Sequence, residues 1–130
     1  MARLCWVGAG SALGGLARFG LETLSGGSFA VFAANAIGAF GIGFYAVLSG
    51  PGGALNAGPS QRLFVMPGLL AGLTSFSMFS LHAEAMLRAS PTASAIFVLA
   101  SIASWIVGVG SGDALASALS REPDNRARDG

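Results

Sequence analysis

Apolar residues run along this chain in four long blocks, separated by short segments rich in glycine, proline or charge. The second block, Ser28–Ser49, and the fourth, Ala93–Gly112, carry no charged residue. A helix needs about 20 apolar residues to cross a bilayer, so both predict transmembrane helices. Leu63–Leu87 and the glycine-rich Leu4–Leu21 predict two more. The alternative is three spans, with the first block lying in the membrane interface.

The third block is interrupted by a polar, glycine-containing stretch from Gly68 to Ser80. Lipid offers the backbone no hydrogen bonds, so irregular backbone at membrane depth usually lines a path or a binding site. We predict a helix that breaks near Gly72–Ser75 and resumes through Phe76, with Thr74 and Ser75 capping the second half. A Gly/Ser kink that only eases helix packing is the alternative.

The connecting segments agree with this division. Gly26-Gly27, the Gly50–Ser60 segment and Ser90-Pro91-Thr92 all have the composition of turns or loops. Residues 1–119 therefore form one transmembrane domain, and we expect the charged tail, residues 120–130, to be disordered.

Composition narrows the function classes. The chain has 130 residues, of which 53% are hydrophobic and 10% charged, and its mean hydropathy is +0.68, which is typical of a membrane protein. The net charge of +1 argues against a nucleic-acid partner. Cys5 and His82 are the only residues of their types. The sequence offers no nucleophile–base pair, metal cluster or phosphate loop, so we expect no enzyme activity.

Three side chains in the second and third spans are candidates for binding an anion. Phe76 and Phe79 lie three residues apart, hence on one helix face, and aromatic ring edges carry partial positive charge. Asn35 places an amide at membrane depth, where it can donate to an anion or join two helices. Ala30, Ala34 and Gly38 indicate that this part of the second span packs closely against another helix. The alternative for both rings is packing in the core or against lipid.

Arg18 and Ser104 are weaker candidates. Arg18 could attract anions at a vestibule, or it could anchor the first span at the interface. Ser104 could line a pore, although a serine in a helix commonly bonds back to its own backbone. Trp6 and Trp105 require no more than interfacial or packing roles.

Three motifs, in order, resemble the Fluc (CrcB) family of bacterial fluoride channels. The first span is glycine-rich and ends in Arg18-Phe19, and the second carries Asn-x-x-Gly-x-Phe-x-x-Gly from Asn35 to Gly43. The third carries Ala71–Phe79, similar to the family's Gly-Gly-x-Thr-Thr-Phe-Ser-x-Phe. The resemblance covers nearly all of Leu4–Gly112.

The resemblance implies an all-α membrane protein of four transmembrane helices, broken in the third, that forms an antiparallel dual-topology dimer in the bacterial inner membrane. It implies passive fluoride export through two pathways, lined by Asn35, Phe76, Phe79 and Ser104, with Arg18 near a vestibule. It also implies a structural sodium ion at the dimer centre, held by the backbone carbonyls of Ala71 and Thr74.

This chain departs from the family pattern at four positions. Ala71 replaces a glycine, Ser75 a threonine, His82 a glutamate and Val31 a hydroxyl residue. These changes keep open a second possibility, a non-conducting or partly conducting partner subunit in a heterodimeric channel. A small proton-coupled multidrug exporter is a third, but it needs a carboxylate deep in the first span, and Glu22 lies near that span's end.

The placement of arginines bears on assembly. With four spans, one side of the membrane holds five arginines and the other side holds Arg18 and Arg88. The five are Arg3, Arg62, Arg121, Arg126 and Arg128. This bias predicts both termini in the cytoplasm. It favours a fixed orientation and pairing with an oppositely inserted homologue, against a dual-topology homodimer as the alternative.

Overall fold

The fold is all-α, as predicted. The computed structural model describes the backbone of residues 1–128 and the side chains of residue 1 and residues 3–120, and within that part it contains helices and no strand. The elements are α1 (Ala2–Ser25), α2 (Gly27–Ser49), α3 (Pro59–Leu63), a π-helical segment (Phe64–Leu70), α4 (Ala71–Leu73), α5 (Phe76–Ala89) and α6 (Pro91–Arg128).

Four helical stretches within the described chain are long and apolar enough to cross a membrane. They are Arg3–Ser25, Gly27–Ser49, Pro59–Ala89 and Pro91–Ser120. The four-span prediction is confirmed, and the protein is a multi-pass membrane protein. The first span is longer than the predicted Leu4–Leu21, because α1 continues to the Gly26-Gly27 turn, where both glycines have positive φ.

Glycine contacts hold the first span against the first half of the third. A Cβ added at Gly10 would overlap the Phe64 carbonyl oxygen, and one added at Gly14 would overlap the Leu69 carbonyl oxygen. The backbones therefore touch, which is how small residues bring transmembrane helices together. Because the contacts advance in the same direction along both segments, these two spans run parallel.

The second and fourth spans pack in the same manner. A Cβ at Gly108 would lie 3.3 Å from the Ala36 carbonyl oxygen, and one at Gly112 would overlap the Phe40 carbonyl oxygen. These contacts also advance together, so α2 and α6 are parallel. In contrast, α5 runs antiparallel to α6. Odd and even spans thus point in opposite directions, as four consecutive membrane crossings require.

The predicted packing face on α2 is buried. Ala30 and Ala34 are 1% and 0% exposed, and a Cβ at Gly38 would overlap the Thr74 methyl group. Gly38, at one end of this face, therefore meets the third span at Thr74. This contact brings the middle of α2 against the helix break.

Two features of the chain differ from, or go beyond, the sequence analysis. The π-helical segment, which contains Pro67, was not predicted; a proline lacks the N–H needed for the regular helical ladder. The helix α6 is assigned through Arg128, while residues 129 and 130 lie outside the described part of the chain. A disordered tail from residue 120 stays a prediction.

Candidate functional site

The third span breaks at Thr74 and Ser75. Helix α4 ends at Leu73 and α5 begins at Phe76, and between them the backbone of Thr74 (φ −80°, ψ 153°) and Ser75 (φ −148°, ψ 107°) is extended. The Ser75 hydroxyl accepts a hydrogen bond from the Met78 N–H at 3.2 Å, which makes it the N-cap of α5. The predicted break and its serine cap are confirmed.

Asn35 holds the break from the neighbouring helix α2. The Ser75 N–H donates to Asn35 Oδ1 at 2.8 Å, and Asn35 Nδ2 donates to the Ser75 carbonyl oxygen at 3.3 Å. The side chain is 5% exposed. Its amide therefore supplies the acceptor that the Ser75 N–H lacks at the break, and adds a second donor to the Ser75 carbonyl, which also accepts from the Phe79 N–H at 3.3 Å. Lipid offers neither group. Of the two sequence-based roles of Asn35, joining helices is observed; contact with an anion stays a prediction.

The same bonds leave two backbone carbonyls free of their helical donors. In a continuous helix, Ser75 N–H would bond the Ala71 carbonyl, and Met78 N–H would bond the Thr74 carbonyl. Here those donors bond Asn35 and the Ser75 hydroxyl instead. The Ala71 carbonyl retains one donor, the Thr74 hydroxyl at 3.2 Å. Carbonyl oxygens freed at a helix break are suitable ligands for a cation such as sodium.

The two phenylalanines of the predicted pathway lie in different surroundings. Their ring centroids are 5.5 Å apart, but Phe76 is 72% exposed whereas Phe79 is 7% exposed. Phe79 stacks on Phe97 at 5.6 Å and meets Trp105 at 5.0 Å, with the two planes at 70°. Phe79 is thus packed between α5 and α6, while Phe76 projects from the subunit.

A cavity of about 220 Å³ lies between α2, the break and α6. Its lining is Asn35, Ala39, Ile42, Thr74, Phe76, Trp105 and Val109. It is open on one side and mostly apolar, with a few polar groups, which is a common character of small-ligand sites. It brings together three residues predicted from the sequence, Asn35, Thr74 and Phe76. Phe79, Arg18 and Ser104 are not part of its lining.

Trp105 belongs to this cavity and was not assigned a functional role from the sequence. Its Nε1 is buried and has no hydrogen-bond partner among the described residues. The Ser101 hydroxyl, four residues earlier on α6, is also buried without a partner in the described part of the chain. Nothing in the sequence separates such a tryptophan from one that only packs, so the tertiary structure was needed to find it.

Arg18 and Ser104 are bound within their own helices. Arg18 Nη1 lies 2.9 Å from Glu22 Oε1, and each of these side chains is about a quarter exposed. Ser104 donates its hydroxyl to the Ser101 carbonyl oxygen at 2.8 Å, the back-bond expected of a helical serine. The vestibule role of Arg18 and the pore role of Ser104 stay predictions.

A second polar link joins α2 to α5 two helical turns from Asn35. Ser28 Oγ lies 3.3 Å from Nδ1 of His82. The imidazole therefore contacts the N-terminal end of α2, on the same side of the break as α5.

Comparison with known proteins shows the family to which this chain belongs. The model of the family described as CrcB-like protein, Camphor Resistance (CrcB), matches residues 5–112. The chain belongs to the CrcB family. The matched segment contains the helix break, its Asn35 partner and every residue that lines the cavity.

CrcB relatives align over most of their length. A protein of Bradyrhizobium diazoefficiens named fluoride-specific ion channel FluC 1 is 41% identical over 121 residues, which cover 89% of this chain and 85% of the relative. One of the same name from Rhodopseudomonas palustris is 43% identical over 122 residues, covering 88% and 86%. Fluoride-specific ion channel FluC of Rhizobium meliloti is 36% identical over 126 residues, covering 92% and 99%.

Proposed function

We propose that this protein is a fluoride channel that lets fluoride leave the bacterial cytoplasm passively across the inner membrane. The observation that carries the proposal is the break at Thr74-Ser75, which Asn35 holds open beside a cavity bordered by Phe76. The names of three well-aligned relatives indicate that the transported ion is fluoride. Export protects the cell because fluoride enters as the neutral acid and dissociates inside.

The chemistry of the site suits a small anion that must shed its water. Asn35 Nδ2 has a second N–H beyond the one that bonds Ser75, and the start of α5 carries partial positive charge from its unpaired backbone amides. Phe76 offers ring edges at the open side of the cavity. Each group donates weakly, so the ion is stabilised enough to enter and is still free to leave.

One subunit leaves the cavity open, so the proposal includes a second one. A copy or homologue inserted in the opposite orientation would cover the exposed Phe76 and complete the wall of the pathway. This arrangement is the same for a homodimer and for a heterodimer. Lipid covers the outer apolar faces of α1 and α6 in either case.

The proposed structural cofactor is a sodium ion at the centre of the dimer. The carbonyls of Ala71 and Thr74 fit this role because the break removes their helical donors. Ligation through carbonyl oxygens uses the backbone, so alanine at position 71 in place of glycine does not remove a ligand. The ion would tie the two breaks together and leave transport to the surrounding side chains.

The direct test is efflux from liposomes that contain the purified protein and are loaded with potassium fluoride or potassium chloride. We expect rapid fluoride release once a potassium ionophore balances charge, and no release of chloride. Empty liposomes give the leak rate. Equal release of both anions, or none of either, contradicts the proposal.

A non-conducting partner subunit is the second candidate, and burial of Val31 is the observation that favours it. Val31 is 1% exposed and places an isopropyl group where the family has a hydroxyl. Reconstitution alone and together with an oppositely oriented homologue separates the two: flux only in the mixture supports the partner role. The exporter alternative loses its one candidate carboxylate, since Glu22 is paired with Arg18.

A further inference from the structure

The indole N–H of Trp105 is a hydrogen-bond donor without an acceptor in the described part of the chain. Nε1 is shielded from solvent and finds no acceptor among the described residues. A buried donor without an acceptor costs about 1–3 kcal/mol in typical proteins. Tryptophan is a donor only, so no rearrangement of its own proton can satisfy it. A ligand that accepts a hydrogen bond would remove this cost.

Trp105 lines the same cavity as the helix break. It lines the cavity together with Asn35 on α2 and Thr74 at the break. Its ring is held in place by Phe79, which is itself stacked on Phe97. The ring is therefore held on a packed aromatic cluster, and because Nε1 is shielded from solvent, an ion in the cavity reaches this N–H only after a small movement of the ring. Ser101 also has an unpartnered hydroxyl, but it is not part of the cavity lining.

From these contacts we infer that Trp105 Nε1–H is an anion-binding donor of this cavity and replaces one of the waters that fluoride loses there. The inference rests on the proposed fluoride channel function and assigns a further residue to its pathway. Fluoride is the halide that gains most from a fixed N–H donor, because it is the smallest and the strongest hydrogen-bond acceptor. Larger halides gain less from the same group, so Trp105 also contributes to selectivity.

The test compares a variant that removes only the N–H with a variant that also removes the bicyclic ring. Trp105 is replaced by benzothienylalanine, in which sulfur takes the place of the indole N–H, and separately by phenylalanine. Fluoride efflux from liposomes should fall at least about tenfold in both variants, the loss expected for a hydrogen bond to a charged group. Trp6→Phe is the matched control: Trp6 is 46% exposed and pairs edge-on with Phe64, and neither residue lines the cavity. It should conduct like the wild type.

A second measurement does not depend on flux. The chain has two tryptophans, so Trp6→Phe leaves Trp105 as the sole indole fluorophore. Its emission should shift when sodium fluoride replaces sodium chloride at equal ionic strength, and identical emission in the two salts would overturn the role of Trp105.

The outcomes distinguish the proposed channel function from the proposed role of Trp105. Wild-type liposomes that release no fluoride overturn the proposed function and this inference with it. Wild-type flux together with undiminished flux in the benzothienylalanine variant overturns the role of Trp105 alone. If phenylalanine lowers flux while benzothienylalanine does not, the ring's shape and not its N–H is what matters, and the inference is also overturned.

Discussion

Asn35 and Ser75 exchange two hydrogen bonds across the interface between α2 and the third span, so a side-chain amide serves as the backbone partner of the broken helix. The break is therefore a defined structure and not a loosened turn. Its geometry depends on a residue from another helix, 40 positions earlier in the sequence.

Replacing Asn35 with alanine should impair transport without preventing assembly. The Ser75 N–H would lose its acceptor, at a cost of about 1–3 kcal/mol, while the Ser75 carbonyl would keep the Phe79 N–H as its donor. Fluoride efflux and the thermal unfolding temperature in detergent measure the two effects. Asn56→Ala is the control, since Asn56 is exposed in the Gly50–Ser60 loop. Wild-type turnover by Asn35→Ala would count against the amide as a pathway group.

Replacing Phe76 or Phe79 with isoleucine should abolish fluoride efflux if both rings line the pathway. The two variants should differ in stability, because Phe79 is 7% exposed within an aromatic cluster and Phe76 is 72% exposed. We expect a lower unfolding temperature for Phe79→Ile and little change for Phe76→Ile. Phe29→Ile, at a position 68% exposed on α2, controls for loss of an aromatic ring. Unchanged flux in Phe76→Ile would remove that ring from the pathway.

Gly14→Ala should disrupt packing of the first span against the third, whereas Gly15→Ala should not. A Cβ at position 14 would overlap the Leu69 carbonyl oxygen, while one at position 15 meets nothing within 4 Å. Backbone atoms cannot swing away as a side chain can, so α1 must move. The yield of monodisperse protein and its unfolding temperature report the effect. Equal behaviour of the two variants would mean that the α1 contact is not close.

Removing sodium should destabilise the assembly. Protein purified in sodium chloride should unfold at a higher temperature than protein purified in N-methylglucamine chloride, because the proposed ion joins carbonyls at the break. Thr74→Ala should keep this difference, since the proposed ligand at position 74 is the backbone oxygen. Potassium chloride controls for a general salt effect. An unfolding temperature that is the same in all three cations contradicts the sodium site.

The uneven distribution of arginines predicts a fixed orientation. A reporter fused after residue 130 should be active only on the cytoplasmic side when the chain is expressed with a neighbouring homologue. Moving two arginines from the tail to the Ser90 turn should weaken this bias. Equal signals from both faces of the membrane would support a dual-topology homodimer and contradict the heterodimer hypothesis.

The sequence predicted the elements that depend on local pattern. Four apolar blocks, the Gly26-Gly27 turn and a break near Gly72–Ser75 all follow from residue types within a short window. The break was placed within two residues because glycine, threonine and serine weaken a helix at the same point. The π-helical segment around Pro67 was missed, since proline signals a disturbed helix without specifying which form it takes.

The arrangement of the site required tertiary structure. Phe76 and Phe79 share a helix face, yet only the packing of α6 shows that one is exposed and the other enclosed. Both roles of Asn35 were considered from the sequence, but its partner Ser75 could not be identified. Trp105 was given only an interfacial or packing role, because an unpartnered indole N–H is visible only when every neighbour is placed.

The 40-residue separation between Asn35 and Ser75 has a consequence for biogenesis. At a translation rate of roughly 5–20 residues per second, α2 leaves the ribosome several seconds before the segment that satisfies its amide is made. During that interval the carboxamide needs water or the insertion machinery as its partner, because acyl chains offer none. The second span is apolar enough to enter the membrane before the third, but the buried pair between them forms only after both have been synthesised.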